Sequence, residues 1–182
     1  MNHDDWSPRF VRGSELATLL ANAGSELSTC HDRLLARWAT LVRVEACLSP
    51  LHWRYDRRTA PAGWAELTGQ VEQDGQLCSD VLGQLHWACR VDSGTTGTPT
   101  LVTETLHTAI THTASLTSCL EAAAHTLGTT GDHPGNRGEA AAMCARLLGA
   151  AQLHLDRVRA DVAQAAPLVP APAPRRHLRA VV

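Results

Sequence analysis

The chain has 182 residues, a formal net charge of −2 and a composition dominated by Ala and Leu. These two residues fill 52 positions, whereas Ile, Phe and Tyr occur once each. Because β-sandwiches and barrels depend on β-branched and aromatic residues, this composition excludes an all-β fold. The near balance of 16 basic and 18 acidic residues argues against nucleic acid as a partner.

Neither a membrane span nor a secretory signal is visible in the sequence. No stretch reaches 18 consecutive apolar residues, and no apolar segment follows the acidic start of the chain. We therefore expect a cytoplasmic protein without a membrane partner, whose six cysteines stay reduced. All 16 basic residues are Arg, and together with the Ala excess this favours a high-G+C genome such as that of an actinobacterium.

Apolar residues recur every three or four positions in four long segments, which is the spacing of one face of an α-helix. The first segment runs from about Ser14, a suitable N-cap, to Leu48. The second begins at Pro61 and extends to about Arg90. The apolar stripe of the first helix comprises Leu20, Ala23, Leu27, Cys30, Leu34, Trp38, Leu41 and Leu48. That of the second comprises Trp64, Leu67, Val71, Cys78, Val81, Leu85 and Ala88.

The third segment runs from about Thr100 to Leu127 and ends at a glycine-rich loop, 128–135. The fourth opens at Asn136, and Glu139 three residues later completes a pattern typical of a capping box. The stripe of the third helix comprises Val102, Leu106, Ala109, Thr113, Leu116, Leu120, Ala123 and Leu127. That of the fourth comprises Cys144, Leu148, Ala151, Leu155, Val158, Val162 and Ala165.

Four helices joined by three connections of about ten to fifteen residues favour an all-α fold, an up-down-up-down antiparallel four-helix bundle with a long first helix. The main alternative is a three-helix core with a detached or kinked first helix. Three glycines weaken the second helix: Gly69, Gly75 and Gly83. We divide the chain into an N-terminal extension (1–13), the bundle (14–166) and a flexible tail (167–182) that is rich in Pro and then in Arg.

The best metal-ligand spacing lies at the hairpin between the second and third helices. His86 and Cys89 form one pair, and Glu104 and His107 form another. The members of each pair lie one turn apart, and both pairs fall at similar heights if the helices form a hairpin. Four such side chains match the ligands that zinc prefers. The alternative is two solvent-facing histidines and an incidental thiol.

Polar residues also fall near the middle of the predicted bundle. Cys30, Cys78, His112 and His154 lie at similar heights, where we expect buried thiols and boundary histidines rather than a metal. Asp74 occupies a position of the second stripe where an apolar residue is expected. A buried carboxylate needs a partner, which in this chain is an Arg, a His or the Trp38 indole. We interpret Asp74 as structural, since a catalytic carboxylate would need a cavity and a companion.

The first connection is rich in Arg and aromatic residues, and it shares an end of the bundle with the start of the fourth helix. Helix N-termini, Trp and Arg together favour an anion or a protein partner at that end. The alternative is a loop that packs onto the bundle. The candidate binding residues are Trp53, Arg54, Arg57, Arg58 and Arg137.

We therefore predict a non-enzymatic helical-bundle protein that acts as a protein-interaction or adaptor module and needs no cofactor. The chain contains no nucleophile elbow, phosphate-binding loop or dinucleotide-binding fingerprint. Its partner is an unidentified protein, and a homo-oligomer is an option because Trp87 and Ile110 extend the apolar surface. The alternative is a zinc-binding bundle that uses the four hairpin ligands.

Overall fold

The computed structural model describes residues 8–48, 61–93, 100–130 and 136–169, with side chains described for 15–43, 64–90, 100–130 and 136–169. Within these ranges the chain forms four α-helices and a short 3-10 helix, and no strand occurs among them. The helices are α1 (Pro8–Leu48), α2 (Pro61–Ser93), α3 (Thr100–Thr130) and α4 (Arg137–Ala165), and the 3-10 helix is Ala166–Leu168. They pack against each other as a four-helix bundle, which confirms the predicted fold class.

Neighbouring helices run antiparallel, as pairs of contacts on the α1–α2 and α3–α4 seams demonstrate. On α1 and α2, Gln84 donates to Glu26, and Cys30 meets Cys78 further along. On α3 and α4, the Cys144 thiol approaches the Ala123 carbonyl, and the rings of His112 and His154 lie side by side. Because the order of contacts reverses along the second helix of each pair, the chain passes up and down with successive helices as neighbours.

The α1–α4 seam closes the ring in the same way. A β-carbon added to Gly24 would lie 3.9 Å from Val162, and one added to Gly149 would lie 4.0 Å from Trp38. These small residues let the first and last helices approach closely. The alternative of a detached first helix is therefore wrong for the described part of α1.

The predicted stripes of α2, α3 and α4 are buried throughout, and they form one continuous core. The stripe of α1 needs one correction among its described side chains, which do not include that of Leu48. Trp38 is 40% exposed, and Arg37 occupies the core-facing position between Leu34 and Leu41. The buried residues of α1 alternate in steps of four and three from Leu16 onward, and continuing that alternation leads to Arg37.

Two helix ends differ from the prediction. α1 begins at Pro8 rather than Ser14, since proline suits the first turn of a helix. α3 continues to Thr130 through Gly128, where the Thr130 hydroxyl donates to the Thr126 carbonyl at 2.6 Å and lies 3.4 Å from the Leu127 carbonyl, one of the last four carbonyls of the helix. The predicted capping box at the start of α4 is not formed, because the Asn136 side chain makes no capping hydrogen bond.

Threonines in the core side of α3 are satisfied within the helix. The hydroxyl of the fully buried Thr113 donates to the Ala109 carbonyl at 2.7 Å, and Thr117 donates to Thr113 at 3.0 Å. Such bonds to the preceding turn remove the cost of burying a hydroxyl without a partner. α3 therefore contributes polar residues to the core without creating an unsatisfied polar site.

Candidate functional site

The most unusual group in the core is a carboxylate between two guanidinium groups on α1 and α2. The Asp74 side chain is 1% exposed, with Arg37 Nε 3.5 Å from one carboxylate oxygen and Arg33 Nη1 3.7 Å from the other. Burial raises the pKa of Asp74, and the two arginines only partly oppose that effect. Of the three partner types that the sequence left open, an Arg, a His and the Trp38 indole, the structure shows Arg.

The geometry of this group is that of an ion pair rather than of a hydrogen-bonded salt bridge. Both Asp74 oxygens and Arg37 Nε are buried without a hydrogen-bond partner in the structure. Arg33 is about half exposed, so its guanidinium carries part of the positive charge to the surface. Since the carboxylate is closed off, α1 would have to move away from α2 before a substrate could reach it.

One turn further along the same two helices, two thiols meet. Cys30 Sγ lies 3.3 Å from Cys78 Sγ, and both residues are buried. The thiol contact with Cys30, together with burial, raises the pKa of Cys78 far above its usual range. The two buried thiols therefore share one hydrogen bond, in which either sulfur can be the donor.

A second titratable group lies on the α3–α4 seam. The ring centroids of His112 and His154 are 5.7 Å apart, and Asp161 lies two turns along α4 from His154. Burial, with the nearby charges of His112 and Arg157, lowers the pKa of His154. Burial raises the pKa of Asp161, and His112 partly offsets that shift. The cysteines and histidines that were predicted at similar heights thus form two separate pairs. Cys30 and Cys78 meet on the α1–α2 seam, and His112 and His154 meet on the α3–α4 seam.

The four predicted zinc ligands lie mostly at the surface of the α2–α3 hairpin. His86, Glu104 and His107 are exposed, and Cys89 packs half-buried against the core. His107 Nδ1 lies 2.8 Å from the Thr103 carbonyl of the preceding turn. Among the described residues, which include all four, no three His, Cys, Asp or Glu side chains form a group that could hold a metal ion. The predicted quartet is therefore not assembled in this structure.

The predicted binding end of the bundle is described only in part. Trp53, Arg54, Arg57 and Arg58 lie outside the described residues, so an anion or partner site there stays a prediction. Arg137 is described, and its guanidinium carbon lies 5.8 Å from the centre of the Trp64 ring.

Trp64 itself is fixed at this end of the bundle. Its indole N–H donates to the Leu127 carbonyl at 2.8 Å. Arg137 and Trp64 therefore join the starts of α4 and α2 to the last turns of α3.

The exposed side of α1 carries a surface that the sequence reasoning missed. Leu35, Trp38 and Val42 are 43%, 40% and 37% exposed and lie on one side of the helix. Asp32 and Arg43, both exposed, lie at opposite ends of this stripe. We call these five residues, with Ala36 and Ala39 between them, the α1 outer face.

A signal for this face was present in the sequence. The core stripe of α1 alternates regularly, so Leu35, Trp38 and Val42 fall beside it rather than on it.

Trp87 is exposed as predicted, and its indole donates to Glu15 at 2.9 Å. Ile110 is instead partly buried against the core, so it does not extend the apolar surface as expected.

Among the described residues, a groove follows each of two helix seams. The larger, of about 470 Å³, follows the α1–α4 seam and is lined mainly by small residues such as Ala21, Gly24 and Ala163. The smaller, of about 190 Å³, lies on the α2–α3 seam beside Glu72 and Glu121. Asp74 lines neither groove. Neither of these two grooves therefore gives a substrate access to the Asp74 carboxylate.

No known protein family, curated protein or solved structure matches this chain. Its function is therefore inferred from the geometry of its own residues. Within the described residues, no helix combines the length and the apolarity that a membrane crossing requires.

Proposed function

We propose that this chain is a non-enzymatic protein-interaction module whose α1 outer face binds a second copy of itself. The observation that carries the proposal is the exposure of Leu35, Trp38 and Val42 on one side of α1. A cluster of large apolar side chains on the surface is typical of an interaction site. Trp is also the residue type that most often contributes binding energy at protein interfaces.

The charges of the face support a second copy as the partner. Asp32 and Arg43 lie eleven residues apart, about 16 Å along the helix, with the apolar residues between them. When two copies of α1 pack antiparallel around a two-fold axis, Asp32 of each copy lies beside Arg43 of the other. Such a two-fold interface uses the same patch twice and is therefore self-complementary.

Small residues support close packing of the two helices. Ala36 and Ala39 lie between the charged ends, on the side of α1 that faces away from the core. A methyl side chain at these positions lets a second helix approach until Leu35 of each copy contacts Val42 of the other. The expected dimer is therefore held by apolar contact at its centre and by ion pairs at both ends.

The polar residues of the core support a structural rather than a catalytic interpretation. Asp74 is closed off from solvent and paired with Arg33 and Arg37, so it stabilises the α1–α2 register. The Thr113 and Thr117 hydroxyls are likewise engaged with backbone carbonyls of α3. These groups serve packing, which leaves the surface of α1 as the best-supported functional feature.

Sedimentation equilibrium of the full chain between about 1 and 100 μM tests the proposal. We expect a mass of twice the 19.5 kDa chain mass at the upper concentrations. Asp32→Arg and Arg43→Asp should each place like charges together at both ends and raise the dimer dissociation constant at least tenfold. The double variant Asp32→Arg/Arg43→Asp restores opposite charges, so its dissociation constant should return toward that of the parent.

Two further variants separate the face from general effects of charge. Trp38→Glu should yield a monomer because a carboxylate would be buried in the apolar centre. Glu121→Arg changes an exposed charge on α3, far from this face, and should leave the association unchanged. A parent protein that stays monomeric at 100 μM, or a double variant no better than the singles, would contradict the proposal.

A further inference from the structure

Cys30 and Cys78 face each other in a part of the core that the proposed interaction does not use. Their sulfur atoms are 3.3 Å apart, on neighbouring helices that are separated by 47 intervening residues. Cys144 offers a comparison, since its thiol approaches the Ala123 carbonyl at 3.5 Å. The contact at Cys30 is thus between two thiols, whereas that at Cys144 is between a thiol and the backbone.

The distance between the sulfurs is close to what a covalent bond requires. A disulfide has a length of about 2.05 Å, so the two atoms need to approach by only about 1.3 Å. The packed helices α1 and α2 hold Cys30 and Cys78 opposite each other. Bringing the two sulfur atoms together therefore costs little additional conformational entropy.

We propose that Cys30 and Cys78 are a dithiol site that hydrogen peroxide oxidises to a disulfide, which fastens α1 to α2. In the first step the sulfur of one cysteine attacks the peroxide O–O bond, which yields a sulfenic acid on that cysteine and one water molecule. In the second step the sulfur of the other cysteine attacks the sulfenic sulfur, the S–O bond breaks, and a second water leaves. The two thiols lose two electrons and two protons, and the peroxide is reduced to two waters.

The two steps can begin at either thiol, because the sulfurs face each other at 3.3 Å and either can donate to the other. Whichever thiol reacts with peroxide first, the other lies beside it and resolves the sulfenic acid. Both residues are at most 1% exposed, so α1 must open transiently from α2 to admit peroxide. The reaction should accordingly be slower than oxidation of the half-buried Cys89 and Cys119.

The test uses the full chain carrying Cys47→Ser, Cys89→Ser and Cys119→Ser, which retains Cys30, Cys78 and Cys144. After treatment with hydrogen peroxide we expect the intact mass to fall by two hydrogens. Trypsin should then release peptide 13–33 joined to peptide 59–90, because cleavage follows Arg12, Arg33, Arg58 and Arg90. Adding Cys144→Ala to this background should leave the cross-link unchanged.

Adding Cys78→Ser instead should abolish the cross-link and leave a sulfenic acid on Cys30 that dimedone traps. The cross-linked protein should also melt at a higher temperature than its reduced form, since closing the loop restricts the unfolded chain. Oxidation of Cys30 to a sulfinic acid without a cross-link, a linkage through Cys144, no reaction of the native protein, or a lower melting temperature would each overturn the proposal.

Discussion

At the scale of single residues, the core of this bundle contains a charge pair where apolar side chains would suffice. Asp74 and Arg37 both occupy core-facing positions, and neither makes a hydrogen bond to the other. Arg37 on α1 and Asp74 on α2 lie at the same height in the bundle. Their opposite charges favour the register of the two helices that brings them together over registers shifted along the helix axis. Such a pair gives specificity more than stability, because removing two charges from water costs much of what their attraction returns.

Substitutions of this pair should separate register from stability. Arg37→Leu leaves Asp74 buried with only the half-exposed Arg33, and should lower the free energy of unfolding by about 3 kcal/mol. The double variant Arg37→Leu/Asp74→Leu removes both charges and should recover at least the parent's stability. Urea unfolding followed by circular dichroism measures both values. A double variant less stable than the single one would mean that the pair itself stabilises the bundle.

His154 should make the stability of the protein sensitive to mild acid. Its folded-state pKa is lowered from the ordinary 6.5 by burial and by the nearby positive charges of His112 and Arg157. The unfolded chain therefore binds the proton more readily. The contribution of neutral His154 to stability is complete above pH 6.5 and is lost as the pH falls through the lowered folded pKa.

His154→Gln should remove that part of the pH dependence. As the pH falls from 7.5 to 5, the free energy of unfolding of the parent should decrease relative to that of the variant. Comparing the two proteins at each pH cancels the contributions of the other titrating groups. A difference that is constant over this range would show that His154 titrates alike in the folded and unfolded chains.

At the scale of helices, α2 forms in spite of its composition. Its three glycines disfavour a helix, yet the residues on its core side are buried from Trp64 to Ala88. Burial against α1 and α3 thus outweighs the low helix propensity of the segment. Gly75 is buried and lies opposite Leu120, whereas the space beside Gly69 and Gly83 is open.

Gly83→Ala should therefore stabilise the protein. The residue is exposed, and an added β-carbon would meet nothing within 4 Å. Alanine restricts the unfolded chain and should raise the free energy of unfolding by about 0.5–1 kcal/mol. Gly69→Ala, at a position with equally open space, should behave alike in thermal and urea unfolding. A loss of stability in both variants would indicate that α2 needs its flexibility at these positions.

At the scale of the whole molecule, the proposed dimer links stability to concentration. If two copies bind through the α1 outer face, association stabilises the folded state by mass action. The melting temperature of the parent should then rise between about 1 and 100 μM, whereas that of Trp38→Glu should not. Differential scanning calorimetry at matched concentrations measures this. Equal concentration dependence in the two proteins would place the interface elsewhere.

Much of this architecture was predictable because helical periodicity is a local property of a sequence. Apolar residues every three or four positions define one face of a helix whatever packs against it, so the bundle and most of its core followed from spacing alone. The core-facing position of Asp74 and its need for a partner followed in the same way, whereas the choice of Arg over a His or the Trp38 indole did not. The assignment of Trp38 to the core was wrong because steps of four and three lead to Arg37 as well, and large apolar residues were preferred.

Pairing across the seams had to come from the tertiary structure. Whether Asp74 meets Arg33 and Arg37, or Cys30 meets Cys78, depends on how far each helix rotates and slides against its neighbour. That register is set by the packing of the whole core and not by any one helix. The same dependence keeps the hairpin ligands His86, Cys89, Glu104 and His107 from forming a metal-holding group in this structure, and turns Leu35, Trp38 and Val42 toward solvent. The sequence by itself thus determined the helices and their buried faces, whereas the tertiary structure decided which side chains meet.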